Sequence, residues 1–342
     1  MSNPLPIIGI SMGDPAGIGP EIIAHALLRP EVLKLCRPIV IGDAGAMRRA
    51  TGYAKVTADI HAVKNVADAR FAPGTIEVFD LANVDPAVAP LGKVTAAAGD
   101  AAFNYVRTMI ELATAGHLDA TVTAPIHKEA LSLAGHKFPG HTEIFAHFTG
   151  STDFTMMLAA GDLRVVHVST HVSLRQACDA VTRQRVLSVI KLGYDACRKL
   201  GIENPLVGVA GLNPHASDGG LFGDEERNHI IPAIADARAL GIQIEGPVPP
   251  DTFYVKAVGG AYDVCVAMYH DQGHIPVKIT GFKYDGKAKR WLSVNGINVS
   301  LGLPIVRVSV DHGTAFDQAG SGTATDASLV DAIAYAAKLA AK

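Results

Sequence analysis

Cysteine is scarce. Only Cys36, Cys178, Cys197 and Cys265 occur in 342 residues, none in C-x-x-C spacing, which excludes a disulfide-stapled mini-fold and a thiolate metal site. An excess of positive charge is also missing: 30 Lys plus Arg stand against 33 Asp plus Glu, a net charge of -3. Such a balance offers no electrostatic footprint for a nucleic acid backbone, so a small-molecule partner is expected. The mean hydropathy of +0.23 invites a membrane reading. Yet no apolar run approaches the ~20 residues that span a bilayer, because charges such as Asp162 and Arg164 break even the richest stretch. The opening MSNPLPIIGISMGD lacks the basic and long apolar regions of a secretory signal. A cytoplasmic protein with no membrane partner is expected. Internal repeats and low-complexity linkers are absent too.

What is present is apolar bulk, with 49% hydrophobic and 18% charged residues. Single cores stop growing at about 250 to 300 residues, so two domains are expected. Short apolar runs alternate with amphipathic segments, the pattern of an α/β protein with a mostly parallel sheet. The runs at 6–11, 38–42, 75–81, 120–126, 163–170, 205–212, 262–269 and 304–310 read as buried strands. Between them, Val186, Val189, Ile190, Tyr194, Cys197 and Leu200 recur at helical spacing. A second helix over about 98–115 turns Ala102, Val106, Met109, Ile110 and Ala113 inward. The expected division is 1–130 plus 305–342 for one domain and 131–304 for the other. The basic stretch 281–296, which holds the only tryptophan, Trp291, reads as a surface loop or hairpin.

Several strand candidates run, at their C-terminal side, into loops carrying His, Asp, Asn, Lys or Thr: 123–129, 169–175, 211–220, 267–278 and 310–317. Ligands of open α/β sheets bind at that end of the strands. His171, His215 and His270 each follow an apolar run, and three neutral imidazoles with open positions suit a catalytic divalent ion, zinc first on ligand softness, then manganese, cobalt or magnesium. The competing reading makes them hydrogen-bonded structural histidines, since 14 histidines place some at strand ends by chance. His167, inside an apolar run, reads as a core histidine. The turn SMGDPAGIGPE (11–21) joins a strand to a helix, with Gly13, Asp14 and Gly17 as candidate cofactor contacts, although it lacks G-x-G-x-x-G and a tight turn needs glycine anyway. His141, Thr142, Lys128 and Lys278 offer donors to an anionic substrate. Arg307, a charge in an apolar strand, calls for an anion or a carboxylate beside it.

Taken together, GDPAGIGPEI, TAPIHKEAL, PGHTE, STH, GLNPHASDGGLFGDEE, PPDT, AMYHDQG and GLPIVRVSVDHGTAFD resemble, in order and over nearly the whole chain, the 4-hydroxythreonine-4-phosphate dehydrogenase family. The resemblance implies a bilobal α/β/α fold similar to isocitrate and isopropylmalate dehydrogenases, with the active site in the interdomain cleft. It implies a homodimer that uses NAD or NADP to oxidise the C3 hydroxyl of a 4-phosphorylated four-carbon acid, which then loses carbon dioxide. One divalent ion per site would be held by His171, His215 and His270, with ligands from both subunits, for instance His171 and His215 of one and His270 of the other. Substrate contacts carry over to His141, Thr142, Lys278, Asn298 and Arg307. Asp251, Asp271 and Lys278 are the candidate proton acceptors. HDQGHIPVK, with His274, is similar to the branch acting on 4-phosphothreonate or 4-phosphoerythronate rather than the pyridoxine biosynthetic branch. The long basic segment 283–294 departs from the family pattern. A dihydrodiol carboxylate is the alternative substrate within the family. A non-redox phosphatase or aldolase, or a binding protein, is the alternative outside it.

Overall fold

The computed structural model describes residues 4–287 and 289–341. The chain forms two compact units, Met1–Ser151 with Leu303–Lys342, and Thr152–Gly302. In chain order the first unit opens with β1 (Ile7–Ser11), β2 (Arg37–Gly42), β3 (Asp59–Val63), β4 (Thr75–Asp80) and β5 (Ala120–Thr123). The second holds β6 (Thr155–Ala160), β7 (Leu163–His167), β8 (Leu206–Ala210), β9 (Gln243–Val248), β10 (Val264–Ala267), β11 (Phe282–Asp285), β12 (Arg290–Val294) and β13 (Ile297–Leu301). The chain then returns to the first unit with β14 (Arg307–Val310).

Within the first unit the strand order is β3-β4-β2-β1-β5-β14, every neighbouring pair parallel. Strands covered on both faces read as continuous apolar runs, and Ile8, Ile10, Ile39, Val40, Ile41 and Val122 are accordingly buried. Thr95 caps the helix Ala96–Thr114 by accepting from the Ala98 amide. A Cβ at Gly99 would sit 2.1 Å from the Ala130 carbonyl, so glycine lets this helix press against Lys128–Leu133. Its Phe103 ring stacks on His136 at 3.7 Å and lies 5.9 Å from Phe138. These contacts hold residues 128–149 in the first unit. The division therefore falls after Ser151, not near 130 as the sequence pattern suggested.

In the second unit the order is β13-β6-β7-β10-β8-β9. β6 is antiparallel to both neighbours, whereas β7, β10, β8 and β9 run parallel. The helix Arg183–Lys199 turns Val186, Val189, Ile190 and Cys197 inward, and Thr182 caps it. The basic stretch is a hairpin of β11 against β12; the side chains of 290–294, Trp291 included, lie outside the described residues. All four cysteines are free. Cys36, Cys197 and Cys265 are buried, and Cys178, in the helix Leu174–Ala180, is exposed. Among the described residues no helix is long and apolar enough to cross a membrane.

Candidate active site

In the first unit the polar groups gather where β5 and β14 run side by side. Register pairs Arg307 with Thr121 and Ser309 with Thr123. Arg307 is 2% exposed. Its Nη2 donates to Thr123 Oγ1 at 2.8 Å, its Nη1 reaches Thr142 Oγ1 at 3.4 Å, and the guanidinium lies 5.6 Å from the centre of the Phe145 ring. Burial pulls its pKa down to about 9, against the opposing pull of Glu143. Hydroxyls thus accept from this guanidinium at both terminal nitrogens, and Glu143 is a carboxylate that favours its charged form. His141 opens the helix His141–Thr149. Its Nε2 is sealed from solvent with no hydrogen-bond partner. Burial, helped by Arg307 and Lys128, holds its pKa well below the ordinary histidine range, so the ring is neutral at pH 7. Lys128, His141, Gly140, Thr123 and His312 are among the walls of a pocket of about 110 Å³. A neutral imidazole beside two cations can donate to an anion at no cost in positive charge.

The glycine-rich turn belongs to the same unit. Gly13 has φ +71° and a Cβ there would lie 2.3 Å from the Pro125 carbonyl, while one at Gly17 would lie 2.9 Å from that of Thr314. Close approach of protein backbone accounts for both glycines. The geometry adds nothing to the expectation that Gly13, Asp14 and Gly17 contact a nicotinamide. Asp14 is fully buried; its Oδ1 accepts from the Ala16 amide at 2.9 Å and its Oδ2 has no partner. Burial pushes its pKa up to about 6, partly offset by the Ala16 hydrogen bond and by His127. The folded carboxyl therefore holds its proton more tightly than the unfolded one. The associated stability is full below the ordinary Asp pKa and is lost as pH rises through about 6, a difference on the order of 3 kcal/mol. Asp14→Asn, which keeps the acceptor for Ala16, should flatten that loss. Urea unfolding of both proteins at pH 5 and pH 8 checks it; equal pH dependence in the two would remove Asp14 as its source.

In the second unit, three loops at the carboxyl ends of adjacent strands carry the candidate ligands. His171 follows β7, His215 follows β8 and His270 follows β10. The rings of His171 and His270 are 5.7 Å apart between centres. His270 Nδ1 pairs with Asp271 Oδ1 at 2.7 Å, the carboxylate arrangement that orients a ligating imidazole and leaves its other nitrogen for a metal. His274 stacks on His270 at 3.6 Å and 12°. Burial and the neighbouring His270 pull its pKa down to about 4. Behind it, the His167 ring lies 4.7 Å away, fully buried, with Nδ1 3.3 Å from the Met156 carbonyl and no partner on Nε2. His167 is thus a core histidine, half satisfied. His215 stands on a left-handed turn, residues 215–219 all having positive φ, and its Nδ1 is 3.9 Å from Asp251 Oδ2.

Among the described residues of a single chain, no three His, Cys, Asp or Glu side chains converge as a metal site. His171 and His270 are brought together, and the three histidines do not converge as one set among the described residues. The donors present, imidazole nitrogens of which that of His270 is backed by a carboxylate, fit a borderline divalent ion. His270, His274 and Lys278 recur every four residues, on one face of the helix His270–Gly281. The Lys278 ammonium lies 4.5 Å from the centre of the Phe282 ring. Asp251 and Asp271 both lie beside histidines, and Lys278 places positive charge near His274. Asn298 sits on β13 opposite Leu158 and is half-buried. Sequence reasoning passed over Gln272 and Glu226, two buried polar residues beside the histidine loops; a polar side chain next to a candidate ligand was the available signal.

The comparisons with known proteins point one way. The profile of the family described as pyridoxal phosphate biosynthetic protein PdxA matches residues 34–336. A D-threonate 4-phosphate dehydrogenase from Cupriavidus necator is 45% identical over 343 residues, covering 100% of this chain and 99% of the relative. One from Salmonella typhimurium is 47% identical over 335 residues, covering 97% and 98%. The crystal structure of a 4-hydroxythreonine-4-phosphate dehydrogenase from Burkholderia phymatum superposes with a TM-score of 0.84 at 43% identity, covering 98% of this chain and 99% of that one. Profile, full-length identity and fold agree, and the chain belongs to the PdxA family.

Proposed function

We propose that this protein is a dehydrogenase that oxidises the C3 hydroxyl of a 4-phosphorylated four-carbon hydroxy acid, of which 4-phosphothreonate is the first candidate, with loss of carbon dioxide from the resulting β-keto acid. The observation that carries the reading is the group around Arg307: a desolvated guanidinium, a neutral imidazole whose Nε2 is sealed from solvent, and Lys128 form a set of donors for which a multiply charged anion is the natural ligand. The names of the two relatives support the same substrate class. NAD or NADP would supply the hydride acceptor. His171, His215 and His270 would hold a divalent ion, whose charge would acidify the alcohol and favour the oxyanion left by decarboxylation.

This chain's own residues do the rest. Arg307, Thr142 and His141 grip the anionic groups and fix the orientation of the reacting carbon. Lys278 takes the hydroxyl proton and returns one to the carbon that loses carbon dioxide. Asp271 and Asp251 orient His270 and His215. The enzyme works as a homodimer whose histidine set is shared between subunits; supporting this is that among the described residues of one chain the three histidines do not converge as a metal site.

A panel of phosphorylated four-carbon acids with NAD and NADP, followed by nicotinamide absorbance and by released carbon dioxide, tests the proposal. Turnover of 4-phosphothreonate with equimolar carbon dioxide is expected. Reduction of nicotinamide without carbon dioxide would remove the decarboxylation, and no reduction with any phosphorylated acid would overturn the reading.

A further inference from the structure

The three histidine-bearing loops are separated by tens of residues in sequence, yet a short chain of buried hydrogen bonds runs between them. Ser169, two residues before His171, donates its hydroxyl to the Met268 carbonyl at 3.0 Å. The Met268 amide donates to Gln272 Oε1 at 2.6 Å, and Gln272 Nε2 donates to the Gly211 carbonyl at 2.7 Å. Met268 precedes His270 by two residues and Gly211 precedes His215 by four. One primary amide, 9% exposed, thus fastens the His270 loop to the root of the His215 loop.

The next link is Glu226. It is 2% exposed and its Oε1 accepts from the amides of Leu212 and Asn213, both at 2.8 Å. Its Oε2 accepts from Asn213 Nδ2 at 2.9 Å. Beyond Pro214 the backbone enters the left-handed region for His215, Ala216, Ser217 and Asp218 in succession. Side chains other than glycine pay roughly 1 to 2 kcal/mol each for that conformation, so the turn persists only where its surroundings over-determine it. Ser217 closes the far side, its hydroxyl donating to the Gly223 carbonyl and its own carbonyl accepting from Leu221 at 2.8 Å. A residue packed for apolar burial would not carry a carboxylate there; the carboxylate's three acceptances are all from the two residues that precede the turn.

We propose that Gln272 and Glu226 are positioning residues that set the backbone from which His270 and His215 project, joining the loops into one hydrogen-bonded frame before any ligand binds. This deepens the functional reading above and rests on it only for the claim that the histidines hold a metal; the frame itself is a property of the metal-free chain.

The experiment uses the full-length protein with Gln272→Met, Gln272→Glu, Glu226→Ala and Glu226→Gln, and Co²⁺ alone as probe. Amide exchange over 211–222 and 268–271 is measured without metal, and Co²⁺ affinity is measured by its visible absorption. Glu226→Ala should speed exchange at Leu212 and Asn213. Glu226→Gln, which keeps one acceptor oxygen, should restore most of the protection. Gln272→Met should speed exchange at Met268, and Gln272→Glu, which keeps that acceptor but sets an oxygen against the Gly211 carbonyl, should do so less. Co²⁺ affinity should fall by roughly 10- to 100-fold in Gln272→Met and Glu226→Ala, the usual effect of removing an outer partner of a ligand.

Unchanged local exchange in the variants would overturn the proposal. So would a lowered melting temperature with local exchange and Co²⁺ affinity intact at temperatures where the variants are folded, because the contacts would then serve stability alone. If Gln272→Met or Glu226→Ala does not fold, Gln272→Glu and Glu226→Gln decide by the same readings. A wild-type chain that takes up no Co²⁺ sinks the metal reading, while the exchange measurements still decide the frame.

Discussion

Homodimers of His171→Ala and of His215→Ala should each be inactive, and reassorting the two should restore about a quarter of wild-type activity. The expectation follows from which histidines adjoin. His171 and His270 lie together in one chain, so the shared site proposed above would take that pair from one subunit and His215 from the other. In a mixed dimer one site carries both lesions. The other receives His171 and His270 from the His215→Ala chain and His215 from the His171→Ala chain, and is intact. Random reassortment makes half the dimers mixed, each with half its sites working. Mixing His171→Ala with His270→Ala should restore nothing, since both lesions fall in the same pair and each site loses one ligand. The partition suggested by resemblance, with His270 on the opposite subunit from His171, requires the reverse outcome. Dead mixtures in both pairings, with mixed dimers shown to be present, would mean that each subunit builds its own site.

Arg307→Met should raise KM for the phosphorylated acid by roughly ten- to a hundredfold, the worth of one charge-assisted hydrogen bond at ~1.5 to 3 kcal/mol, and leave KM for the nicotinamide near wild type. Methionine keeps much of the length and apolar bulk of the arginine stem, so the change removes charge with little lost packing. The same variant should unfold at a higher temperature. The guanidinium is desolvated enough for its pKa to fall to about 9, which means the fold carries its charge at a cost, and methionine removes that cost. Higher stability with weaker substrate saturation is the signature of a group retained for binding rather than folding. Steady-state kinetics and thermal unfolding of one preparation read both; unchanged saturation would take Arg307 out of the site.

Much of this was legible in the sequence because burial on both faces writes itself as uninterrupted apolar runs. β1, β2, β4, β5, β7, β8, β10 and β14 were found that way. β3 and β9 were missed because they are sheet edges: DIHAV alternates polar and apolar residues, and QIEGPV carries a glycine and a proline that an edge strand tolerates. β6, TMMLAA, is buried throughout but has no β-branched aliphatic residue to mark it. The division was misplaced because what holds 128–149 in the first unit is the contact of Gly99 with Ala130 and of Phe103 with His136 and Phe138, tertiary facts without a local pattern. At the site, histidines at strand ends stood out. The left-handed turn bearing His215 did not, since Ala216 and Ser217 within it are types that ordinarily avoid that backbone.

The uneven burial of the four thiols gives the complementation experiment its own bookkeeping. Burial raises the pKa of Cys36 to about 12 and of Cys197 to about 11, and raises that of Cys265 as well, so none of the three offers a thiolate at neutral pH. Cys178, alone among them, is exposed in the chain. A maleimide dye should therefore enter the folded protein at one position only and reach the others after unfolding. Two dyes of matched spectra, one on each parent variant, would then report mixed dimers by energy transfer as they form, with no substitution made for the purpose.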